Sequence, residues 1–153
     1  MLAFLGGVIV TDSEIQQIEQ TKKFLRRYRK NKACINRLIN KRNQLEERIT
    51  KVKLPNYSGM PRGGIPISID ELMSDKIDLE NRIKRLQHKN TKVKKEITEE
   101  IDRLDDPRYC TVLESFFIDG IALEDIADDE GYTVRHVYRI YGEAVKSLSV
   151  IRQ

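Results

Sequence analysis

From Thr11 onward, apolar residues recur at alternating three- and four-residue spacing, which places them on one face of an α-helix. No Pro or Gly interrupts the chain between Thr11 and Pro55, so the pattern predicts one long helix, with Thr11 and Ser13 as candidate N-caps. Its apolar seam comprises Ile18, Leu25, Tyr28, Ile35, Leu38, Leu45, Ile49 and Val52. A helix with a single seam of this kind needs a partner that covers the seam.

A second long helix is predicted from Ile69 to Leu104, after a loop at 54–68 that holds three of the four prolines. Its seam follows heptad spacing through Ile69, Leu72, Lys76, Leu79, Ile83, Leu86, Asn90, Val93, Ile97, Glu100 and Leu104. The polar Asn90 is a candidate for fixing register or oligomeric state. The two helices most simply fold back as an antiparallel hairpin, and an extended intermolecular coiled coil is the alternative.

The last part of the chain has the pattern of a compact helical domain. Asp106 and Pro107 suit the start of a helix that Gly120 ends, with an apolar face of Tyr109, Val112, Leu113, Phe116 and Phe117. A short helix at 123–129, a turn at Gly131 and a longer helix capped by Thr133 follow. The longer helix has a buried stripe of Val137, Ile140, Tyr141, Ala144 and Leu148. This succession is the helix-turn-helix plan.

We therefore expect an all-α protein in which a long helical hairpin (11–105) precedes a helix-turn-helix domain (106–153). Residues 1–10 form an apolar N-terminal extension, MLAFLGGVIV, which is too short to span a bilayer and lacks a basic leader. A flexible extension, a packing tail and a start codon assigned too early are the alternatives for it.

In a helix-turn-helix domain, residues near the start of the second helix reach base edges in the major groove. Arg135 and Arg139 lie one turn apart on the outer face and suit bidentate contacts to guanine, and Tyr138 lies between them. Lys146 suits a phosphate, and Gly142 suits a close approach of DNA or of another helix. The full set of predicted DNA-contacting residues is Thr133, Val134, Arg135, His136, Tyr138, Arg139, Gly142 and Lys146.

The runs PRYCTVLESFFIDGIALEDIA and GYTVRHVYRIYGEAVKSL resemble the sigma region-4-like domain of the RinA and ArpU class of phage transcriptional regulators. The loop YSGMPRGG between two long charged helices is also similar to that class. The resemblance implies promoter binding and activation of late phage genes, with recognition by Val134, Arg135, Tyr138 and Arg139 and support from Glu124. Two departures, Ala122 at a usual capping position and Glu130 at a usually apolar one, predict a weaker supporting helix and modest DNA affinity.

Charge is distributed unevenly along the chain. The stretch 22–42 holds ten Lys and Arg and no acid, whereas 107–153 holds five Lys and Arg against eight Asp and Glu. Three interpretations of the basic run stay open: a DNA-backbone contact, a docking surface for an acidic patch on RNA polymerase, and a solvated helix face. Its candidate phosphate or partner contacts are Lys22, Arg26, Arg29 and Lys30, with Glu124 in the supporting helix.

The sequence contains no motif that is typical of an enzyme active site. Cys34, Cys110, His88 and His136 form no ligand or nucleophile motif, and GMPRGG lacks the lysine of a phosphate-binding loop. We expect no catalytic site, metal or cofactor, no membrane partner, and a cytoplasmic location in a bacterial host.

Taken together, these patterns predict a sequence-specific DNA-binding transcriptional regulator, with double-stranded DNA and RNA polymerase as candidate partners and a homo-oligomer as the expected assembly. The alternatives are a small terminase subunit, which also joins a helix-turn-helix to long helices, and a protein that binds polymerase by mimicking sigma region 4.

Overall fold

The computed structural model describes residues 3–5, 8–54 and 68–153. Five α-helices dominate them: α1 (Asp12–Lys53), α2 (Ile69–Ile101), α3 (Pro107–Glu114), α4 (Leu123–Glu130) and α5 (Val134–Ile151). The predicted all-α class, with α1 and α2 paired within one chain, is confirmed. Apart from its two end residues, the predicted loop at 54–68 lies outside the described residues.

Two short strands precede α1, where no strand was expected. β1 (Ala3–Leu5) pairs antiparallel with β2 (Val8–Val10), and Ala3 lies opposite Val10. The side chain of Val10 is buried. The apolar extension therefore contains a small β-hairpin.

A reciprocal capping box begins α1. The Thr11 N–H donates to Glu14 Oε2 at 2.8 Å, and the Glu14 N–H donates to Thr11 Oγ1 at 3.3 Å. The hydrogen bonds from the backbone and side chain of Thr11 lower the pKa of Glu14. Thr11 is thus the N-cap, and the other candidate, Ser13, lies inside the helix.

The described chain divides into two compact units, of which the first comprises 31–90. Here α1 and α2 pack seam against seam through buried Ile35, Leu38 and Ile83. Lys76, a polar position of the seam, places its Nζ 3.6 Å from Glu46 and 3.7 Å from Glu80. Asn90 is buried, with 5% of its surface exposed. The predicted antiparallel pairing holds in this unit.

The other unit comprises 1–30 and 91–153 and contains the larger core. Its core contains residues from α1, α2, α3 with its final turn, α5 and the connection after α2: Leu25, Val93, Ile97, Ile101, Leu104, Leu113, Phe117, Ile118, Ala144, Val145 and Leu148. Glu100, another polar seam position, lies 3.1 Å from Arg103 Nη1 and 3.6 Å from Arg152 Nη1. These two ion pairs explain why an acid is accommodated there.

The helix that begins at Pro107 ends at Gly120, as predicted, but the geometry of its last turn was not predicted. Asp106 is its N-cap and accepts the Arg108 N–H at 2.9 Å, but after Glu114 the last turn, Ser115–Asp119, is π-helical. Gly120 then ends it with a φ of +76°, a conformation in which a side chain is strained. The wider turn carries Phe116 and Phe117, whose ring centroids lie 5.4 and 6.0 Å from that of Tyr141.

Both cysteines are free thiols. The Sγ of Cys110 lies 3.4 Å from the carbonyl oxygen of Ile101, at the end of α2. Burial raises the pKa of the Cys110 thiol. The neutral thiol therefore donates a hydrogen bond to a carbonyl group that lacks an intrahelical partner at the C-terminus of α2.

Candidate nucleic-acid interface

A Schellman turn fixes the connection between α4 and α5. Gly131 has a φ of +70°, and its N–H reaches the carbonyl of Asp128, while the Tyr132 N–H donates to Ala127 O at 2.9 Å. Two residues later, Thr133 caps α5 by accepting the His136 N–H on its Oγ1 at 3.2 Å. The backbone at the start of α5 is thus set by two local signals that the sequence displays.

A separate apolar cluster holds the helices that meet at this turn. It consists of buried Val112, Leu123, Ile126, Ala127, Val137 and Ile140, contributed by α3, α4 and α5. Ala122, the residue before α4, has no polar side-chain atom and therefore forms no capping hydrogen bond. Packing, rather than capping, therefore stabilises the start of the supporting helix α4.

The outer face of α5 begins with four exposed residues that were expected to read DNA. Val134 and Tyr138 expose 43% and 49% of their surface, and the side chains of Arg135 and Arg139 are also exposed. Within the described part of the chain, Arg135 has no carboxylate partner. Its guanidinium is therefore available to a ligand.

Arg139 is more restrained than Arg135. It lies 3.9 Å from the carboxylate of Glu143 and donates to His136 Nδ1 at 3.2 Å. The His136 ring in turn packs edge-on against Tyr132. Glu143 was not singled out from the sequence, although its four-residue spacing from Arg139 was the available signal.

The hydroxyl of Tyr138 is bonded within the chain. It donates to Glu124 Oε1 at 2.6 Å, so it links the exposed face of α5 to the first turn of α4. This hydrogen bond lowers the pKa of the Glu124 carboxyl and raises the pKa of the Tyr138 hydroxyl. Tyr138 therefore offers a ligand its ring, and Glu124 acts as a positioning residue for it.

The two predicted contacts further along α5 differ from each other. No described atom outside its own helix backbone and chain neighbours lies within 4 Å of a Cβ built on Gly142, so no other helix explains that glycine. Lys146 is half-buried, and its charge adds to the Thr11 hydrogen bonds in lowering the pKa of Glu14. The charge of Lys146 thus interacts with the carboxylate of Glu14 in the same chain.

The exposed surface of α4 is acidic. Asp125, Asp128, Asp129 and Glu130 are all exposed, and none has a cation within ion-pair distance in the described ranges. A duplex that contacts α5 must approach without bringing its phosphates close to these carboxylates.

The predicted contacts on α1 fall into two groups. Lys22 Nζ lies 3.2 Å from Glu19, and Arg29 donates to the carbonyl oxygen of Phe116 at 3.3 Å. Arg26 and Lys30 are exposed and form no ion pair with any described residue. The structure therefore separates engaged cations from available ones in a run that the sequence presents as uniform.

In the ranges 3–5, 8–54 and 68–153, no group of three or more His, Cys, Asp or Glu side chains could hold a metal ion. None of the described helices is both long enough and apolar enough to cross a membrane.

A model of a protein family described as a protein of unknown function, DUF1492, matches residues 51–149. The chain therefore belongs to that family, and the match includes all of α2, α3 and α4 together with every candidate base-contacting residue of α5. No curated protein matches the chain. No solved structure matches it either.

Proposed function

We propose that this member of the DUF1492 family is a sequence-specific binder of duplex DNA that inserts the start of α5 into the major groove. The observation that carries the proposal is Arg135: an exposed arginine without a carboxylate partner at the second position of α5. The turn at Gly131 and the cap at Thr133 fix the backbone beneath it. This combination is what a recognition helix requires.

Each exposed residue has a distinct role in the proposal. Arg135 and Arg139, one turn apart, present guanidinium groups that can bind O6 and N7 of guanine. Val134 and the ring of Tyr138 are exposed apolar surfaces suited to a thymine methyl group. Arg139 must leave its exposed partner Glu143, which costs little free energy because the ion pair lies in solvent.

The resemblance to phage regulators suggests the biological setting. A reading domain of this kind acts at promoters used by host RNA polymerase, and a homo-oligomer would read two half-sites. The role is one of binding and needs no cofactor.

A second candidate function is favoured by the acidic surface of α4. A protein that mimics sigma region 4 and binds polymerase would use Asp125, Asp128 and Asp129 as contacts and would have negligible DNA affinity. The two functions differ in whether DNA is preferred by sequence.

The test is selection of duplexes from a random-sequence pool by the intact chain, followed by affinity measurements on the selected and a scrambled duplex. We expect a clear preference for the selected duplex. The double substitution Arg135→Ala, Arg139→Ala should remove the preference and weaken binding by about 1–3 kcal/mol for each bidentate arginine–guanine pair that it removes.

The matched control is Arg48→Ala, Lys51→Ala, which removes two exposed positive charges from α1 outside the reading domain. This control should keep the preference. If the pool yields no preferred sequence, or if the α5 variant prefers it as strongly as the intact chain does, α5 is not the reading helix. Binding to purified polymerase would then support the second candidate.

A further inference from the structure

The compact unit that contains the helix-turn-helix has strongly basic segments in helices other than α5. Within it, 22–30 of α1 and 91–95 of α2 contain nine Lys and Arg and no Asp or Glu. The stretch 107–153 of the same unit is net acidic, with eight acids against five Lys and Arg. The densest runs of Lys and Arg in this unit thus lie on α1 and α2 and not in the stretch 107–153.

Several of these nine cations already have a role inside the chain. Arg27 Nη1 lies 2.9 Å from Glu96, and Lys95 Nζ lies 3.7 Å from Glu99. Lys94 lies 6.0 Å from the centre of the Tyr28 ring. Arg29 reaches the carbonyl of Phe116 and stacks over its ring at 5.3 Å, and Lys22 pairs with Glu19. These five residues hold the helices to one another or to their own neighbours.

Four cations are left: Lys92 on α2, and Lys23, Arg26 and Lys30 on α1. We call the three cations on α1 the basic strip. All four are exposed, and none makes an ion pair or hydrogen bond with a described side chain. Spacings of three and four residues place Lys23, Arg26 and Lys30 on one face of α1, over about 10 Å of helix. Like charges held this close repel one another, and an external polyanion relieves that repulsion.

We propose that the basic strip binds the phosphate backbone of duplex DNA and supplies the sequence-independent affinity that the acidic reading domain lacks. A duplex carries about one negative charge per 1.7 Å of axis, so a row of cations on a rigid helix meets phosphates whatever the sequence. An acidic protein patch presents fewer and more widely separated charges. The proposal shares its partner with the proposed function but rests on different residues, because phosphate contacts require no base recognition.

The experiment measures fluorescence anisotropy of a labelled duplex of arbitrary sequence with the full chain, over a series of potassium chloride concentrations. The variant is Lys23→Gln, Arg26→Gln, Lys30→Gln. Removal of one phosphate-binding cation should lower the slope of log affinity against log salt by about 0.9, so the slope should fall by roughly 2 to 3. Binding at low salt should weaken on the order of tenfold or more, equally for every sequence.

The matched control is Arg48→Gln, Lys51→Gln, Lys53→Gln, which removes three exposed charges from the same helix beside Glu46 and Glu47. This control should leave the slope within one unit of that of the intact chain. If the slope fell equally in both variants, the loss of net charge alone would explain the effect, and the proposal would be overturned. Circular dichroism of all variants establishes that they remain folded.

These measurements distinguish a failure of the basic-strip proposal from a failure of the proposed function. If the strip variant keeps slope and affinity while the α5 variant loses sequence preference, the strip is not a DNA contact and the recognition helix stands. If no sequence is preferred but the strip variant loses its salt-dependent binding, the strip stands and the recognition helix does not. Unchanged DNA binding with loss of polymerase binding or self-association would assign the strip to a protein partner and overturn the proposal.

Discussion

Residues on the outer face of α5 differ in how much of their bonding capacity the chain already uses. Arg135 has no described carboxylate partner, Arg139 contacts His136 and Glu143, and the hydroxyl of Tyr138 is bonded to Glu124. A ligand can engage Arg135 without breaking any described side-chain contact, whereas it must displace an intramolecular partner to use Arg139. We therefore expect Arg135 to contribute more to binding than Arg139 does.

The Tyr138–Glu124 hydrogen bond gives a prediction in the absence of any ligand. The substitution Tyr138→Phe removes the donor, so the pKa of Glu124 should rise toward its ordinary value. A carboxyl-carbon NMR titration of the two proteins measures this directly.

The sign of the linked stability follows from the direction of the shift. Because the folded-state pKa of Glu124 is lowered, its contribution is present above the unfolded pKa and is lost as pH falls through the folded one. The intact protein should therefore lose more stability than Tyr138→Phe on acidification in that range. Identical Glu124 titrations in both proteins would show that the hydrogen bond is absent in solution.

At the scale of elements, the two glycines Gly131 and Gly142 serve different purposes. Gly131 occupies the left-handed region that the Schellman turn requires, whereas Gly142 lies inside α5 with open space where a side chain would be. The first is required by backbone geometry. The second costs helix stability without a described packing reason.

These glycines should respond to alanine in opposite directions. Gly131→Ala should destabilise the folded state by about 1–2 kcal/mol, since an L-residue is strained at that φ. Gly142→Ala should stabilise it by roughly 0.5–1 kcal/mol. Urea denaturation followed by circular dichroism measures both changes, and a destabilised Gly142→Ala would show that the position is constrained within the chain.

At the scale of the molecule, α3 and α5 share a buried core with α1 and α2. Leu25 of α1 belongs to the same buried cluster as Phe117 and Leu148, although more than ninety residues separate Leu25 from Phe117 along the chain. The cation of Arg152 lies 3.5 Å from the centre of the Phe24 ring, which joins the end of α5 to α1. The helices α3 to α5 are therefore not an independent module.

The shared core predicts a large effect from a substitution far from α5. Leu25→Ala should destabilise the protein by roughly 2–5 kcal/mol, the usual cost of a cavity at a fully buried leucine. Val52→Ala, at a position of α1 that is 44% exposed, should change stability by no more than about 0.5 kcal/mol. Chemical denaturation monitored by tyrosine fluorescence tests both, and equal effects would contradict a core that depends on α1.

Local patterns predicted the helices well because their signals lie within a few residues. The seams of α1 and α2, apart from the exposed Val52 at the end of α1, the Thr133 cap and the Gly131 turn are examples. The β-hairpin was missed, although Gly6 and Gly7 between two apolar triplets are a hairpin signal.

The π-helical turn at Ser115–Asp119 and the Arg29 contact to Phe116 depend on distant packing, which is not visible in a short stretch of sequence. For the same reason, charge spacing alone did not separate engaged cations from the basic strip.

The dependence of this core on Leu25 has a consequence for the synthesis of the protein. A chain emerges from the ribosome N-terminus first, so α1 is complete while the residues that cover Leu25, including Val145 and Leu148, have not yet been made. A polypeptide stopped before those residues exposes the apolar surface of α1 and α2 and is open to proteases. The DNA binding that we propose for α5 then becomes available only once translation has passed that helix, so chains that stop earlier do not compete for sites.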